Sequence, residues 1–261
     1  MISPVLDTSA ITSRQEALRL LQSPDFMLRR LAIASGWLPV RILAPLRTDP
    51  NGAIRTAVAA NPQAESTWLK AYAQDRNEWV RSAAAANRAT PAEVLAQLVR
   101  DQQWWVRMGV AMNPVADEAT LAVLIDDPVP QVRHALVGNP NCPLRCLQRF
   151  AVDPTVEVRD GVAAHPRADA DLLAQLAGEQ DDWLIRRTVA ERQDAPAAVL
   201  LRLAGDTQPE VREAVAGNPS TALEVLRDLA LDPELPVRKA AHVNPSSDGE
   251  VRAAAVLMGL R

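Results

Sequence analysis

The chain has 261 residues, is 48% hydrophobic and 23% charged, and carries a formal net charge of −4 with a pI near 5.5. This composition supports a sizeable core, lacks the overall basic footprint of a nucleic-acid binder, and offers two cysteines, Cys142 and Cys146, too few to staple a secreted scaffold. Aromatic residues make up only 3% while Ala and Leu abound, which favours closely packed helices over sheet.

In chain order, residues 1–22 come first. They show no basic stretch followed by an apolar one, so no signal peptide is expected. No apolar run along the chain reaches membrane-spanning length, and a cytoplasmic location without membrane contact is expected. Thr12 falls where a helix cap belongs, so Ser13 to Leu21 is expected to be the second helix of a partial, capping unit, with Arg14, Gln15, Glu16 and Arg19 on its polar face.

From 23 to 248 the chain repeats. An apolar residue followed by Arg recurs at Arg29, Arg55, Arg81, Arg107, Arg133, Arg159, Arg186, Arg212 and Arg238, every 26 residues except for one step of 27. Six before this Arg stands Asp49, Asp75, Asp101, Asp127, Asp153, Asp206 or Asp232. Six after it stands Asn61, Asn87, Asn113, Asn139, Asn218 or Asn244, usually followed by Pro. Each unit therefore predicts two helices of about ten residues. Neither is long enough to stand alone in water, so stability must come from stacking.

The first helix is expected to begin at Asp-Pro, with Asp as its cap (Asp49-Pro50, Asp127-Pro128), and to end at Asn-Pro. The second begins near Pro39, Pro91, Pro143 or Pro196, or at Asp117, Asp169 or Asp248. Thr90…Glu93, Thr221…Glu224 and Ser247…Glu250 read as capping boxes. The Ala-rich first helix (Ala83 to Ala86) implies close approach between neighbours. Residues 249–261 complete the last second helix, expected over Glu250 to Leu260, as a C-terminal cap. The whole reads as one continuous all-α solenoid of about nine two-helix repeats.

The run V-R-x-x-V-A-x-N-P followed by L-x-x-L-A, as in Val211 to Pro219 and Leu226 to Ala230, resembles the leucine-rich repeat variant family, and is similar in pattern to HEAT-type repeats. The resemblance covers almost the whole chain. It implies a right-handed superhelix of alternating α- and short 3₁₀-type helices. It also implies, in the founding architecture, a Cys-rich iron–sulfur segment. A cluster needs about four cysteine ligands, so none is carried over to a chain with two.

The periodic Arg invites a nucleic-acid reading, a row of guanidinium groups along a groove. A ladder in which each Arg pairs with a phased Asp or with carbonyls of the next unit explains both periodicities and is the expected role of these residues. The repeated Asn is expected to close the first helix. Recognition is expected where units differ, two and three residues before the Arg. Phe26, Met27, Trp79, Trp104, Trp105 and Trp183 stand there, expected as an exposed aromatic strip that binds a partner. Trp37 and Trp68 fall at other phases and are expected in the core.

The unit around 178–193 has an extra residue, and Arg192-Gln193 replaces Asn-Pro. This is expected to be a tolerated loop insertion, with a charged pocket of Asp181, Asp182, Arg186, Arg187 and Arg192 as the alternative. His134, His165 and His242 occupy three phases, and no nucleophile–base set, phosphate loop or zinc spacing is present. No catalytic residue, metal or cofactor is expected. The function expected is a scaffold for a protein or peptide partner, with a nucleic-acid-binding or base-repair module and an accessory role in a metal or redox system as alternatives.

Overall fold

Each 26-residue unit in the computed structural model folds into a helical pair, and the description covers residues 11–180 and 182–257. In chain order the helices are α1 (Arg14–Leu21), α2 (Phe26–Ala34), α3 (Val40–Leu43), α4 (Gly52–Ala60), α5 (Ser66–Tyr72), α6 (Glu78–Ala86), α7 (Ala92–Leu98), α8 (Trp104–Met112), α9 (Glu118–Leu121) and α10 (Pro130–Val137). They continue with α11 (Leu144–Phe150), α12 (Val156–Ala164), α13 (Ala170–Leu176), α14 (Trp183–Glu191), α15 (Ala197–Leu203), α16 (Pro209–Gly217), α17 (Leu223–Leu229), α18 (Leu235–Val243) and α19 (Gly249–Leu257). The even-numbered helices are the first of each pair and the odd-numbered the second. Two second helices pass into 3₁₀ segments, α3 into Ala44–Thr48 and α9 into Ala122–Leu124. No strand occurs among the described residues.

The chain divides into two compact units, Met1–Pro143 and Leu144–Arg261, and within each the fold is an α-solenoid. Stacking runs chiefly through the first helices, α4 on α6 on α8 in one unit and α14 on α16 on α18 in the other. Small residues make this possible. A Cβ added to Gly109 of α8 would lie 3.0 Å from Ala85 Cβ and 3.3 Å from the Ser82 carbonyl of α6. Behind this layer, residues such as Val80 and Ala84 of α6 and Leu95 of α7 are fully buried.

The helices start and stop differently from the sequence expectation at two places. The phased Asp is not the cap of the first helix. That cap lies two residues later, at Asn51, Asn77 or Thr155, and the helix begins after it. The Asp carboxylate instead accepts the backbone N–H of the cap residue, as from Asn77 to Asp75 at 2.8 Å and from Gln103 to Asp101 at 2.9 Å. This two-residue turn leaves its second oxygen free for the neighbouring repeat.

Nor do Thr90, Thr221 and Ser247 build capping boxes. Each hydroxyl donates backward at 2.6 Å to a carbonyl in the last turn of the preceding first helix, Ala84, Val215 and Ala241. These hydroxyls are buried, where an orphan helix-end carbonyl is the nearest acceptor. At the start of the chain Ser13, not Thr12, is the cap, and a variant of the box forms that reaches one residue farther back. Ser13 accepts from Glu16 N–H while Glu16 accepts from Thr12 N–H. The helices are also shorter than ten residues, typically nine and seven. The final residues of the expected last helix, Asp181 and the segment before Ile11 lie outside the described residues.

The repeated Asn does more than end a helix. Its Oδ1 accepts the N–H two residues on, and its Nδ2 reaches two carbonyls of the preceding repeat. Asn113 Nδ2 donates to Ala85 O at 2.7 Å and Asn87 O at 3.0 Å, and its Oδ1 accepts from Val115 at 2.9 Å. Asn87, Asn139, Asn218 and Asn244 repeat the arrangement. Replacing Asn113 by Ala deletes three buried hydrogen bonds and is expected to cost about 3 kcal/mol in urea unfolding. Asn141→Ala, at a half-buried site with an exposed bond at 2.9 Å and a longer one at 3.3 Å, is expected to cost less than about 1 kcal/mol. Equal losses would show that the phased Asn is no cross-repeat clamp.

Candidate functional site

Around the phased Arg most joints are closed from two sides. In the first unit Arg55 Nε and Nη2 grip the carboxylate of Asp75, twenty residues ahead, both at 2.8 Å, while Nη1 donates to its own repeat's Asp49 carbonyl at 2.7 Å. Arg81 with Asp101 and Arg107 with Asp127 repeat this, each with an Nε contact of 2.6 Å. In the second unit Arg186 grips Asp206 and Arg212 grips Asp232 in the same way. Arg133, Arg159 and Arg238 each send Nη1 to the carbonyl of the Asp six residues earlier, Asp127, Asp153 and Asp232. The guanidinium groups that a phosphate backbone would need are thus engaged inside the stack.

Electrostatics follow from this geometry. Burial pushes the carboxyls of Asp75, Asp206 and Asp232 up. The hydrogen bonds from Arg55, Arg186 and Arg212, helped by the backbone N–H, outweigh it and hold all three below the ordinary value. A carboxyl lowered in the folded state contributes stability that is complete above its unfolded pKa and is lost as pH falls through the folded one. Urea stability is therefore expected to hold through mildly acidic pH and to drop steeply below about pH 4. Asp206→Asn should lower stability at neutral pH and flatten that drop. An unchanged acid transition in Asp206→Asn would contradict the assignment.

The irregular unit keeps the joint by substitution. The added residue lies after Glu179, so Glu179 occupies the acid position and pairs with Arg159 Nε at 2.9 Å. Arg192, in place of Asn, donates Nη1 to the carbonyls of Ala163 and His165, and Asp194 neutralises it at 2.7 Å. His165, also at the Asn phase, accepts the Arg167 N–H on Nδ1 at 3.0 Å. The described charged groups of this unit, Asp182, Arg186, Arg187 and Arg192, are each engaged separately. Asp182 caps α14, Arg186 grips Asp206 and Arg187 pairs with Glu191. Among the described residues, no group of three or more His, Cys, Asp or Glu is placed to hold a metal, and Cys142 and Cys146 are buried. No described helix is long and apolar enough to cross a membrane.

The aromatic candidates separate into three places. Trp79 and Trp105 open α6 and α8 and stack at 5.3 Å between centroids with 14° between planes. Trp104 meets the edge of Trp105 at 5.7 Å. All three are half-buried. They are therefore not the fully exposed strip expected from the sequence, because each indole covers its neighbour across the close spacing of the first helices. Trp105 Nε1 is buried without a hydrogen-bond partner. Phe26 lies half-buried beside Arg29 and Arg30, with Met27 next to it 45% exposed. Trp183 heads α14 in the second unit.

The two expected core tryptophans also part ways. Trp68 packs partly buried on the core, whereas Trp37 is 45% exposed, held at the surface by Nε1 donating to the Ile11 carbonyl at 2.8 Å. The α2–α3 turn explains this. Gly36 takes a positive φ of 79°, in place of the Asn-Pro stop, and throws Trp37 outward.

With this geometry the likeness to solved structures can be read. A crystallised leucine-rich repeat variant, described as having a novel repetitive structural motif, matches at 30% identity and a TM-score of 0.55, covering 78% of this chain and 81% of its own. The chain belongs to the leucine-rich repeat variant family. An engineered protein matches at 16% identity and TM-score 0.35, over 95% of this chain and 82% of its own. A computationally designed armadillo repeat protein for modular peptide recognition matches at 20% identity and TM-score 0.19, over 95% and 98%. No family model and no curated protein matches the sequence. As a leucine-rich repeat variant built of helical pairs, the chain is a repeat scaffold of a kind suited to protein binding, and in the described residues the odd-numbered helices are α-helical except where α3 and α9 turn 3₁₀.

Proposed function

We propose that this leucine-rich repeat variant is a non-catalytic scaffold that binds a partner protein or peptide on the first-helix face of its first unit, centred on Trp79, Trp104 and Trp105. The observation that carries this reading is the indole cluster itself. Three half-buried Trp side chains meet at the start of α6 and α8, where other repeats place Gly52-Ala53, Pro130-Gln131 or Pro209-Glu210. Nothing in the stacking of a repeat requires indoles there, since repeats without them close the same Arg–Asp joint. Clustered Trp residues are the commonest energetic centres of interfaces.

The surroundings suit an apolar partner segment. Exposed residues of α4, α6 and α8 beyond the cluster include Ala60, Ala86 and Met112, the last 62% exposed, with Met108 half-buried between. Small residues admit a backbone closely, and methionine adapts its shape to varied apolar groups. The second unit presents a different face, with Glu157, Asp160, Arg187, Glu191 and Glu213 at the corresponding surface phases. A nucleic acid is disfavoured by the engaged arginines and the net charge of −4.

The test compares wild type with Trp79→Ala/Trp105→Ala for capture of partners from the source cell, with Trp37→Ala as control. Losing the stacked pair is expected to cost about 1–2 kcal/mol of stability and to leave the helical spectrum intact. Partner capture should fall by about 100-fold or more and resist added salt. Capture that survives the double substitution, or that vanishes equally in Trp37→Ala, would refute the assignment.

A further inference from the structure

One joint of the first unit stands open. Arg29 occupies the phased arginine position and Asp49 the acid position twenty residues ahead, yet they form no ion pair, unlike Arg55–Asp75, Arg81–Asp101 and Arg107–Asp127. Arg29 engages only Nη1, with the carbonyls of Ser23 at 2.7 Å and Pro24 at 2.9 Å. Its Nε and Nη2 edge, which grips a carboxylate bidentately in the neighbouring repeats, has no acid. The Asp49 carboxylate accepts only the Asn51 N–H, at 2.7 Å.

The second helix of this repeat explains the gap. Here the chain leaves the α-helix at Leu43 and runs as 3₁₀ over Ala44–Thr48, with Pro45 unable to donate its share of an α-helical hydrogen bond. A 3₁₀ segment rises about 0.5 Å more per residue than an α-helix, so five residues lengthen it by about 2.5 Å. The stretched segment leads directly into Asp49, the acid of the joint that stays open. Tyr72 Oη, donating to the Arg47 carbonyl at 2.9 Å, holds the stretched segment from the next repeat. The shorter 3₁₀ segment, Ala122–Leu124, lets the Arg107–Asp127 pair close at 2.6 Å.

Within the open joint lies a cavity of about 440 Å³ bordered by both charged groups and by Leu21, Phe26, Ile42 and Leu46. The Arg29 guanidinium carbon sits 5.7 Å from the Phe26 ring centroid, which fixes the charge at the edge of the apolar wall. The closed Arg81–Asp101 joint carries a cleft of similar volume, about 430 Å³, lined mainly by polar residues such as Gln74, Gln97 and Gln102, so the apolar wall and the unpaired charges, not the volume, set this one apart.

We propose that this cavity binds an apolar α-amino acid as its zwitterion. The α-carboxylate takes the Nε/Nη2 edge of Arg29, reproducing the bidentate contact that an Asp makes in the other joints. The α-ammonium faces the Asp49 carboxylate, and the side chain lies among Leu21, Phe26, Ile42 and Leu46. Charge selects this class. A simple carboxylate would set its charge beside Asp49, and a simple amine beside Arg29, whereas the zwitterion satisfies both.

Calorimetric titration of the full chain with L-phenylalanine and L-leucine tests this, beside 3-phenylpropanoate and 2-phenylethylamine. One-site saturable binding is expected for an amino acid, with Kd between about 10 µM and 1 mM and each single-charge analogue at least about 10-fold weaker. Arg29→Gln and Asp49→Asn should each weaken binding at least about 10-fold, and Trp79→Ala/Trp105→Ala should leave it unchanged. Should a charge variant unfold, Ile42→Trp fills the cavity while keeping both charges and is expected to abolish binding. Methyl NMR shifts of Ile42 and Leu46 in the wild type then read the site directly. Absence of saturation by either amino acid up to about 10 mM, analogues binding equally well, or methyl shifts confined elsewhere would overturn the proposal.

Discussion

A guanidinium that reaches both ways along the stack is the constraint on which the rest of this protein depends. Its Nη1 ties down the carbonyl six residues behind it, and its other edge grips an acid twenty residues ahead, as in Arg81 with the Asp75 carbonyl and the Asp101 carboxylate. The acid is itself positioned by the N–H that opens the next first helix. One buried charge pair thus fixes where a helix starts and how far the following repeat lies from it. Helices of nine and seven residues have no independent stability, so this joint, with the Asn clamp beside it, converts marginal elements into a stack within each unit.

Two costs shape the joint. Removing one member of a buried pair strands the other charge, whereas an intact pair with its remaining donors satisfied is nearly neutral. The Arg meets this demand with Nη1 on a carbonyl and the Asp with a backbone N–H, leaving little unsatisfied. Where the sequence drifts, the same demand is met by other chemistry. Glu179 stands in for Asp, Arg192 for Asn, and Asp194 neutralises the charge that Arg192 brings. At Arg29 and Asp49 the ion pair is absent, and both residues line a cleft with an apolar wall.

Much of this was legible in the amino-acid order because it depends on constant spacing. Arg recurring with an apolar neighbour and Asp at a fixed offset specified the helical pair and its stacking. The sharing of one phase by Trp79 and Trp105 placed them side by side. What could not be read depends on competition between equivalent local partners. Asp before Pro fits a helix cap, but a turn two residues long served the same carboxylate better once Arg claimed its other oxygen. Thr90 fits a capping box, but burial sent its hydroxyl to the Ala84 carbonyl. Trp37 reads as core until a glycine with positive φ turns the chain outward. The open joint hinges on a 3₁₀ stretch that no residue pattern announces apart from Pro45.

Since the repeated residues join neighbours, recognition falls to what differs between repeats, and the indoles at the head of α6 and α8 are the largest such difference. Where a phased Arg meets its acid, the ion pair joins one repeat to the next and reaches no farther. Double-mutant cycles test it most directly, comparing Arg81 with Asp101, which it grips, and Arg81 with Asp127, one repeat farther on. A coupling energy of about 2–3 kcal/mol is predicted for the first pair and less than about 0.5 kcal/mol for the second. Coupling near zero in both would contradict it.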